Sequence, residues 1–322
     1  MSDLPHVLVL AGGLSHERDV SLRSGRRVAE ALRDEGLEVE VADADATLLA
    51  RLEGPAGPGG RPDVVLPVLH GAAGEDGGVR EVLELVGVPY VGSTPSACRL
   101  AFDKPTAKAV VATAGLAVPA SAALAHATFR ELGAARVLDA LVERLGLPLV
   151  VKPARGGSSL GMTVVREAGA LPAAMVAAFA YGDTALVERF VEGVEVAVGV
   201  LEGAEDGPQP LPAVEIVPDG GVYDYTARYT AGATEFFVPA RLSPEAAAAA
   251  ASAALTAHRA LGLRDLSRTD LIVDTAGTPW FLEVNVAPGM TETSLFPQAV
   301  AAAGRSLGAV YRTLVETAAS RR

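Results

Sequence analysis

In the first third of the chain, apolar runs alternate with amphipathic stretches, and this alternation restricts the possible folds more than any other feature. Strands are predicted at His6–Gly13, Leu37–Asp43, Asp63–His70 and Pro89–Gly92. Helices are predicted after the first and third strands, over 19–33 and 79–86, and a loop rich in proline and glycine, 54–62, precedes the third strand. Strands that alternate with helices pair in parallel, and the helices cover the sheet. The pattern therefore predicts an α/β unit with a parallel sheet.

After residue 93 the pattern changes to strands joined by short turns, and such strands pair antiparallel. The polar stretch Gly220–Ala233 shows little periodicity and is predicted to be a long mobile loop. Strands are predicted at 148–153, 162–166, 185–191, 194–201, 213–217, 266–273 and 280–286, and helices at 96–114, 129–145, 171–180, 243–261, 295–303 and 307–319.

Composition excludes several classes of protein. The single cysteine, Cys98, rules out an internal disulfide framework and a zinc cluster built on cysteines. The formal charge of −12 argues against a general nucleic-acid binder, because phosphate neutralisation needs a basic face. No run approaches the ~20 apolar residues that a bilayer crossing needs, and the first residues do not resemble a signal peptide. We therefore expect a soluble cytoplasmic protein that binds neither nucleic acid nor membrane.

The basic residues are strongly biased toward arginine. The chain has 24 arginines but only three lysines, Lys104, Lys108 and Lys152. A lysine supplies a compact point charge where an arginine supplies a planar fork. The few lysines are therefore worth following, although Lys104 taken alone would usually be a surface residue.

The strongest chemical signal is a pair of acidic strands late in the chain. Arg268 and Asp270 share one face of the first strand, and Glu283 and Asn285 share one face of the second. A turn at 276–277 would place the two acids close together. Two carboxylates and an amide oxygen suit Mg²⁺, which takes few protein ligands beside substrate phosphates. A solvated face paired by Arg268 is the alternative, but the flanking residues are apolar, and buried acids are costly unless paired or metal-bound.

Lys152 precedes a loop of glycines and serines, Arg155–Gly161. Backbone N–H groups of such loops can bind phosphate oxygens. The loop lacks the G-x-x-x-x-G-K-[ST] spacing of a P-loop and leads into a strand, so it is not that motif. An ordinary glycine hairpin remains the alternative.

Two further loops, Leu10–Glu17 and His70–Gly77, follow predicted strands of the parallel sheet. Ligands of parallel sheets bind where the strands end. The first loop lacks the G-x-G-x-x-G spacing, which disfavours dinucleotide binding. His70 at such a position is more often a hydrogen-bonded structural residue than a base.

Six short segments, in this order along the chain, resemble the D-alanine–D-alanine ligase family of the ATP-grasp superfamily. The resemblance implies a Rossmann-like α/β substrate-binding domain over 1–99 and a two-part ATP-grasp domain with antiparallel sheets. Its central part would span 100–187 with the phosphate loop, and its C-terminal part 188–322 with the metal site and a lid. The six segments are Ala11–Ser21, Leu69–Gly77, Val151–Met162, Tyr223–Tyr225, Arg268–Asp270 and Glu283–Thr291.

The resemblance also implies ligands for individual residues. ATP and two Mg²⁺ or Mn²⁺ ions would be bound, with Asp270, Glu283 and Asn285 holding the metal. Lys104 and Lys152 would hold ATP phosphates, a hinge strand would carry the adenine, and Glu195 would hold the ribose. The implied ATP-binding residues are Lys104, Lys152, Glu188, Arg189, Phe190, Val191, Glu195 and Arg228.

For the substrate, D-alanine, the resemblance implies two subsites. Glu17 would anchor the amino group of the first D-alanine, and His70 would also lie at the substrate. Ser294 and Leu295 would receive the carboxylate of the second.

The catalytic groups implied by the resemblance are few. Arg268 and the N–H of Gly289 would stabilise the oxyanion, while Ser158 and Tyr229 would hydrogen-bond toward Glu17 as the lid closes. The family commonly has lysine immediately before the lid tyrosine, where this chain has Arg228. Val286-Ala287 also replaces small hydroxyl residues after Asn285, which affects packing more than chemistry.

The expected function is ATP-dependent joining of two D-alanines through a D-alanyl phosphate, for peptidoglycan precursor synthesis. A D-alanine–D-lactate or other D-amino-acid ligase of the same superfamily is the alternative. A non-catalytic nucleotide-binding protein is a third hypothesis, against which the intact set of acidic and basic site residues argues. The resemblance further suggests a homodimer.

Overall fold

The computed structural model describes residues 4–57, 59–203, 207–230 and 232–321. The N-terminal elements are β1 (Val7–Ala11), α1 (Arg18–Asp34), β2 (Val39–Asp43), α2 (Leu48–Leu52), β3 (Val64–Pro67), α3 (Ala72–Glu75) and α4 (Gly78–Leu85). The strands form a parallel sheet in the order β2–β1–β3, in which every residue of β1 is buried. This confirms the predicted parallel sheet. The short strand predicted at Pro89–Gly92 is reduced to a bridge between Val65 and Tyr90, because the chain turns away at Gly92.

A second, antiparallel sheet follows, in the strand order β4–β7–β5–β6. Its strand β4 was not expected from the sequence, because an alanine-rich pentapeptide carries little β-propensity. The elements of this part are α5 (Pro95–Phe102), α6 (Lys104–Thr113), β4 (Ser121–Ala125), α7 (His126–Leu132), α8 (Ala134–Leu145), β5 (Leu149–Pro153), β6 (Thr163–Val165), α9 (Leu171–Phe179) and β7 (Thr184–Arg189).

Two helices that the sequence predicts as continuous are each divided. Asp103 separates α5 from α6: its backbone is extended, and its side chain accepts a hydrogen bond from the N–H of Thr106 at 3.0 Å. An aspartate in this role satisfies an otherwise unpaired N–H at the start of a helix. Gly133, with φ of 83°, separates α7 from α8. The division at Asp103 makes Lys104 the first residue of α6.

The third sheet is antiparallel, with the order β11–β10–β8–β12–β13 and with β9 also paired to β8. The stretch predicted as a long loop contains a short helix, α10, whose first turn is capped where Asp224 accepts from the N–H of Ala227. The elements are β8 (Val194–Gly203), β9 (Gly207–Pro210), β10 (Val214–Pro218), α10 (Tyr225–Tyr229), β11 (Thr234–Phe237), α11 (Pro244–Ala260), β12 (Leu266–Val273), β13 (Pro279–Asn285), α12 (Leu295–Ala302) and α13 (Leu307–Ala319).

One apolar core joins the two ends of the chain. Val7 and Val9 of β1 and Leu32 of α1 belong to the same buried cluster as Phe296 of α12 and Leu314 of α13. The N-terminal sheet is therefore covered on one face by the last helix of the chain, and the strand ends of β1 and β3 face the loop before α12. Within the described residues, no helix is both long and apolar enough to cross a membrane.

Candidate active site

A cleft of about 530 Å³ lies between the two antiparallel sheets. Val150, Met162 and Val164 form one apolar wall around β5 and β6, while Ile272 and Leu282 from β12 and β13 face them. A planar aromatic ligand such as a nucleotide base usually binds between apolar walls, and polar groups at the ends of the cleft fix its orientation. Every residue predicted to bind ATP lines this cleft: Lys104, Lys152, Glu188, Arg189, Phe190, Val191, Glu195 and Arg228.

All three lysines of the chain are buried, and two of them, Lys104 and Lys152, line this cleft. Lys104 Nζ lies 3.3 Å from Glu283 Oε2 and donates to the carbonyl of Gly156 at 2.6 Å. Lys152 Nζ lies 2.9 Å from Glu188 Oε2. The lysine from α6 and the lysine from β5 thus bring positive charge to the phosphate-binding loop predicted from the sequence.

The acidic hairpin has the predicted geometry. In the register of β12 and β13, Asp270 lies opposite Glu283 and Arg268 opposite Asn285. Arg268 donates two hydrogen bonds to Asp270, at 2.7 and 2.8 Å. Burial alone would lower the pKa of Arg268, but the pair with Asp270 raises it, so the guanidinium stays charged.

A β-bulge changes which residues of β13 face the cleft. The register shifts between Asp270 and Leu271, so that Phe281, and not Leu282, lies opposite Leu271. In a regular strand Leu282 and Glu283 would point to opposite faces. With the bulge, both line the nucleotide cleft, and the carboxylate lies directly beside the apolar base wall.

The residues of this hairpin fit a divalent cation. Burial opposes ionisation of Glu283, but Lys104 and Lys152 outweigh it and lower its pKa to about 2, so the carboxylate is charged at neutral pH. Asn285 Oδ1 accepts from the N–H of Ala287 at 2.8 Å, which fixes the amide oxygen in place. Asp270 supplies a second carboxylate at the neighbouring register position. Hard oxygen donors of this kind are the ligands that Mg²⁺ and Mn²⁺ prefer.

A second cleft, of about 1020 Å³, opens beside the first and lies at the strand ends of the N-terminal sheet. Lys104, Arg228 and Glu283 line both clefts. The residues predicted for substrate and catalysis that line the second cleft are Glu17, His70, Ser158, Arg268, Gly289, Ser294 and Leu295.

Hydrogen bonds fix the geometry of this second cleft. The hydroxyl of Ser158 donates to Glu17 Oε1, so the phosphate loop contacts the start of α1. Ser158 has φ of 54°, a left-handed conformation that is uncommon outside glycine. At Gly289 an added Cβ would lie 2.7 Å from Ser294 Oγ, so a larger residue would require the Ser294 hydroxyl to move.

His70 is held by two partners. Its Nδ1 lies 3.0 Å from the carbonyl of Ala287, and its Nε2 lies 3.2 Å from Ser24 Oγ. Burial lowers its pKa, although Glu17 acts in the opposite direction. The neutral ring therefore ties the loop after β3 to the loop after β13, as the structural interpretation of this histidine expects.

The lid predicted from the sequence contacts both clefts through Arg228. Its guanidinium lies 4.2 Å from the ring centroid of Tyr223, and its Nε donates to Ser159 Oγ at 3.1 Å. Ser159 in turn donates to the carbonyl of Tyr223 at 3.0 Å. The lid helix and the phosphate loop are thus joined by side chains. The side chain of Tyr229, also predicted here, lies outside the described part of the structure.

Two family models match this chain. The family model described as D-ala D-ala ligase C-terminus matches residues 110–316, and the model described as D-ala D-ala ligase N-terminus matches residues 49–93. The chain belongs to the D-alanine–D-alanine ligase family.

Individual relatives cover nearly the whole chain. The D-alanine–D-alanine ligase of Anaeromyxobacter dehalogenans strain 2CP-1 is 43% identical over 314 residues, 97% of this chain and 96% of that protein. The one from Desulforudis audaxviator is 43% identical, over 97% of this chain and 98% of that protein.

Among solved structures, VanG D-Ala:D-Ser ligase from Enterococcus faecalis superposes with a TM-score of 0.81 at 30% identity, over 97% of this chain and 98% of that one. D-alanine–D-alanine ligase from Bacillus anthracis complexed with ATP gives 0.79 at 26% identity, over 98% of each chain. These likenesses confirm the expected ATP-grasp fold.

Reasoning from the sequence missed several residues of this ligase site. Glu75 is buried and lines the second cleft, where its Oε1 accepts from the N–H of Gly71 at 2.9 Å. Lys108 contacts Glu188 behind the nucleotide cleft. The rarity of lysine in the chain was the sequence signal that could have identified Lys108. Ser159 and Glu75 both lie in segments that resemble the ligase family, but the resemblance gave neither residue a role.

Proposed function

We propose that the protein joins two D-alanines into D-alanyl-D-alanine, with ATP converted to ADP and phosphate. The observation that carries this proposal is the continuity of the two clefts. Lys104, Arg228 and Glu283 line both, so cations and a carboxylate lie where a nucleotide phosphate would meet a small substrate. The relatives named above are D-alanine–D-alanine ligases over nearly their full length.

The chemistry explains why ATP is needed. A carboxylate is a poor acylating agent, and transfer of the γ-phosphate to the first D-alanine gives an acylphosphate with a good leaving group. Lys104, Lys152 and Arg228 supply positive charge along the path of the phosphoryl group, and such positioned cations are the main means of catalysing this transfer. Glu17 at the start of α1 would hold the ammonium group of that first D-alanine.

The acidic hairpin would hold the metal. Asp270, Glu283 and Asn285 have the donor set for Mg²⁺ or Mn²⁺, and we propose two ions there. A bound divalent cation would neutralise charge on the ATP phosphates. The two hydrogen bonds from Arg268 fix the orientation of the Asp270 carboxylate, which lines the first cleft.

The second step would take place in the larger cleft. The free amine of the second D-alanine attacks the acyl carbon, a C–N bond forms, and phosphate leaves with the electrons of the broken C–O bond. Arg268 and the N–H of Gly289 are the proposed donors to the oxyanion of the tetrahedral intermediate. The start of α12, at Ser294 and Leu295, would receive the carboxylate of the second D-alanine, since helix starts favour anions.

Water would destroy an acylphosphate, and the lid offers a means to exclude it. The contacts of Arg228 with Tyr223 and Ser159 hold the lid against the phosphate loop. An arginine can bind a phosphate through two N–H groups, so Arg228 is proposed to do the work of the lysine common at this position. Tyr229 and Ser158 are proposed to complete the hydrogen-bonded set around Glu17.

The product would serve peptidoglycan precursor synthesis in the cytoplasm, and we propose a homodimer. The deciding experiment is product analysis with purified protein, ATP, Mg²⁺ and D-alanine. Phosphate release should require both ATP and D-alanine, and mass spectrometry should identify D-alanyl-D-alanine. Phosphate release without D-alanine, or a different main product, would contradict the proposal. Adding D-lactate or D-serine tests the alternative acceptors.

A further inference from the structure

Behind the nucleotide cleft, one carboxylate is shared by two lysines. Glu188 Oε1 lies 2.8 Å from Lys108 Nζ, and Glu188 Oε2 lies 2.9 Å from Lys152 Nζ. The side chains of Lys108 and Glu188 are only 4% and 2% exposed. Lys108 also donates to the carbonyl of Phe281 at 2.9 Å. Lys108 comes from α6, whereas its partners Glu188 and Phe281 come from β7 and β13.

The three side chains differ in their access to the nucleotide. Lys152 and Glu188 line the nucleotide cleft, but Lys108 does not line either cleft. Lys108 therefore cannot touch ATP directly. Its contacts are with the carboxylate, with a carbonyl of β13 and with the face of the Phe281 ring, whose centroid is 5.8 Å from Nζ.

The sum of the charges on Lys108, Lys152 and Glu188 suggests what Lys108 does. Two ammonium groups and one carboxylate leave a net positive charge for the ATP phosphates. If Lys108 were absent, Glu188 would face Lys152 alone, and their charges would cancel. Burial opposes the charge of Lys152, but Glu188, together with Glu283 and Glu195, outweighs it and raises the pKa of Lys152. A single glutamate placed beside the phosphate-binding lysine would thus impair binding unless a second cation shares it.

We propose that Lys108 is a positioning residue that shares Glu188 and so keeps the positive charge of Lys152 available to the phosphates of ATP. This inference rests on the proposed contact of Lys152 with those phosphates. It predicts that loss of Lys108 weakens binding of ligands that carry phosphate and spares binding of the nucleoside. It also predicts that the loss is repaired when Glu188 loses its charge.

The test is calorimetric titration of the full-length protein with ADP and Mg²⁺, and separately with adenosine. Lys108→Met keeps an unbranched side chain against Phe281 and removes the charge. Its Kd for ADP should rise at least about ten-fold, while its Kd for adenosine should change less than about two-fold, because one buried charge acts mainly on a charged ligand. The double variant Lys108→Met/Glu188→Gln should bind ADP about as tightly as Glu188→Gln alone, because a second cation is needed only while Glu188 is charged.

A matched control comes from the same helix. Val111→Ala removes a fully buried apolar group of α6 without touching the charges. It should lower the melting temperature and leave both Kd values unchanged. If Lys108→Met behaves in the same way, or loses ADP and adenosine affinity equally, Lys108 is only a packing residue and the inference is overturned.

The variant Lys152→Met distinguishes failure of this inference from failure of the proposed phosphate contact on which it rests. Normal ADP binding by Lys152→Met would overturn the proposed phosphate contact and the inference with it. Weakened binding by Lys152→Met, with normal binding by Lys108→Met, would overturn the inference alone. Should Lys108→Met fail to fold, the double variant is compared with Glu188→Gln. Equal ADP affinity supports the shared-charge explanation, and a weaker double variant contradicts it.

Discussion

Replacing Glu75 by glutamine should remove a cost of folding that grows with pH. Glu75 lines the second cleft, and it is only 8% exposed. Burial, followed by the negative charge of Glu17, raises its pKa from an ordinary value of 4.5 to about 8. At neutral pH the folded protein therefore keeps a proton on this carboxyl, whereas the unfolded chain releases it.

The pKa difference sets the size of the effect. Below about pH 4.5 both states are protonated, and Glu75 adds no pH dependence. Between pH 4.5 and 8 only the unfolded state loses the proton, so each pH unit lowers the free energy of unfolding by about 1.4 kcal/mol. From pH 5 to pH 8 this amounts to about 4 kcal/mol, an order-of-magnitude figure for one buried acid. Glu75→Gln stays neutral at every pH and can still accept from the N–H of Gly71.

Urea unfolding at pH 5, 6.5 and 8 measures this difference. The two proteins should have similar unfolding free energies at pH 5, and the variant should become the more stable one as the pH rises. Glu81→Gln is the matched control, because Glu81 lies on the neighbouring helix α4 with its side chain 57% exposed. Its effect should stay below about 1 kcal/mol at all three pH values. Parallel pH profiles for the wild type and Glu75→Gln would refute the reasoning.

Three further outcomes concern activity. Glu283→Gln and Asp270→Asn should each remove most turnover and weaken Mg²⁺-dependent ATP binding, because each deletes a negative charge at the proposed metal site. The circular dichroism spectrum should stay unchanged. Near-normal kcat at saturating Mg²⁺ would contradict the proposed metal site. Arg228→Lys should keep substantial activity, whereas Arg228→Ala should lose far more kcat than ATP affinity in steady-state assays; identical kinetics would place residue 228 outside the reaction. With D-alanine and D-lactate competing at neutral pH, mass spectrometry should find mainly D-alanyl-D-alanine. The share of D-alanyl-D-lactate should rise as the pH falls, because less of the D-alanine amine is then deprotonated. D-alanyl-D-lactate as the main product at neutral pH would overturn this specificity.

The acidic hairpin shows how far the sequence could predict the site. Period-two alternation and a glycine turn were enough to place Asp270 opposite Glu283, as the register confirms. The bulge beside them could not be predicted, because it depends on how β12 fits between β8 and β13. The sequence alone therefore could not show that Leu282 and Glu283 both face the nucleotide cleft.

Other features depended on contacts that are distant in sequence. Glu188 was predicted as a nucleotide contact, but its carboxylate pairs with lysines from two other elements. The raised pKa of Glu75 comes from its burial and from the charge of Glu17, nearly sixty residues away. The divided helices at Asp103 and Gly133, in contrast, carried local signals, a capping aspartate and a glycine, that a closer application of capping rules would have found.

The core that joins β1 to α13 has a consequence for recombination between members of this family. Val7, Val9 and Leu32 pack in one cluster with Leu314 at the other end of the chain. A crossover after the N-terminal sheet would separate side chains that pack against one another in this core. A chimera should therefore take its first strand and its last helix from the same parent. The segments that must be inherited together thus lie at opposite ends of the gene.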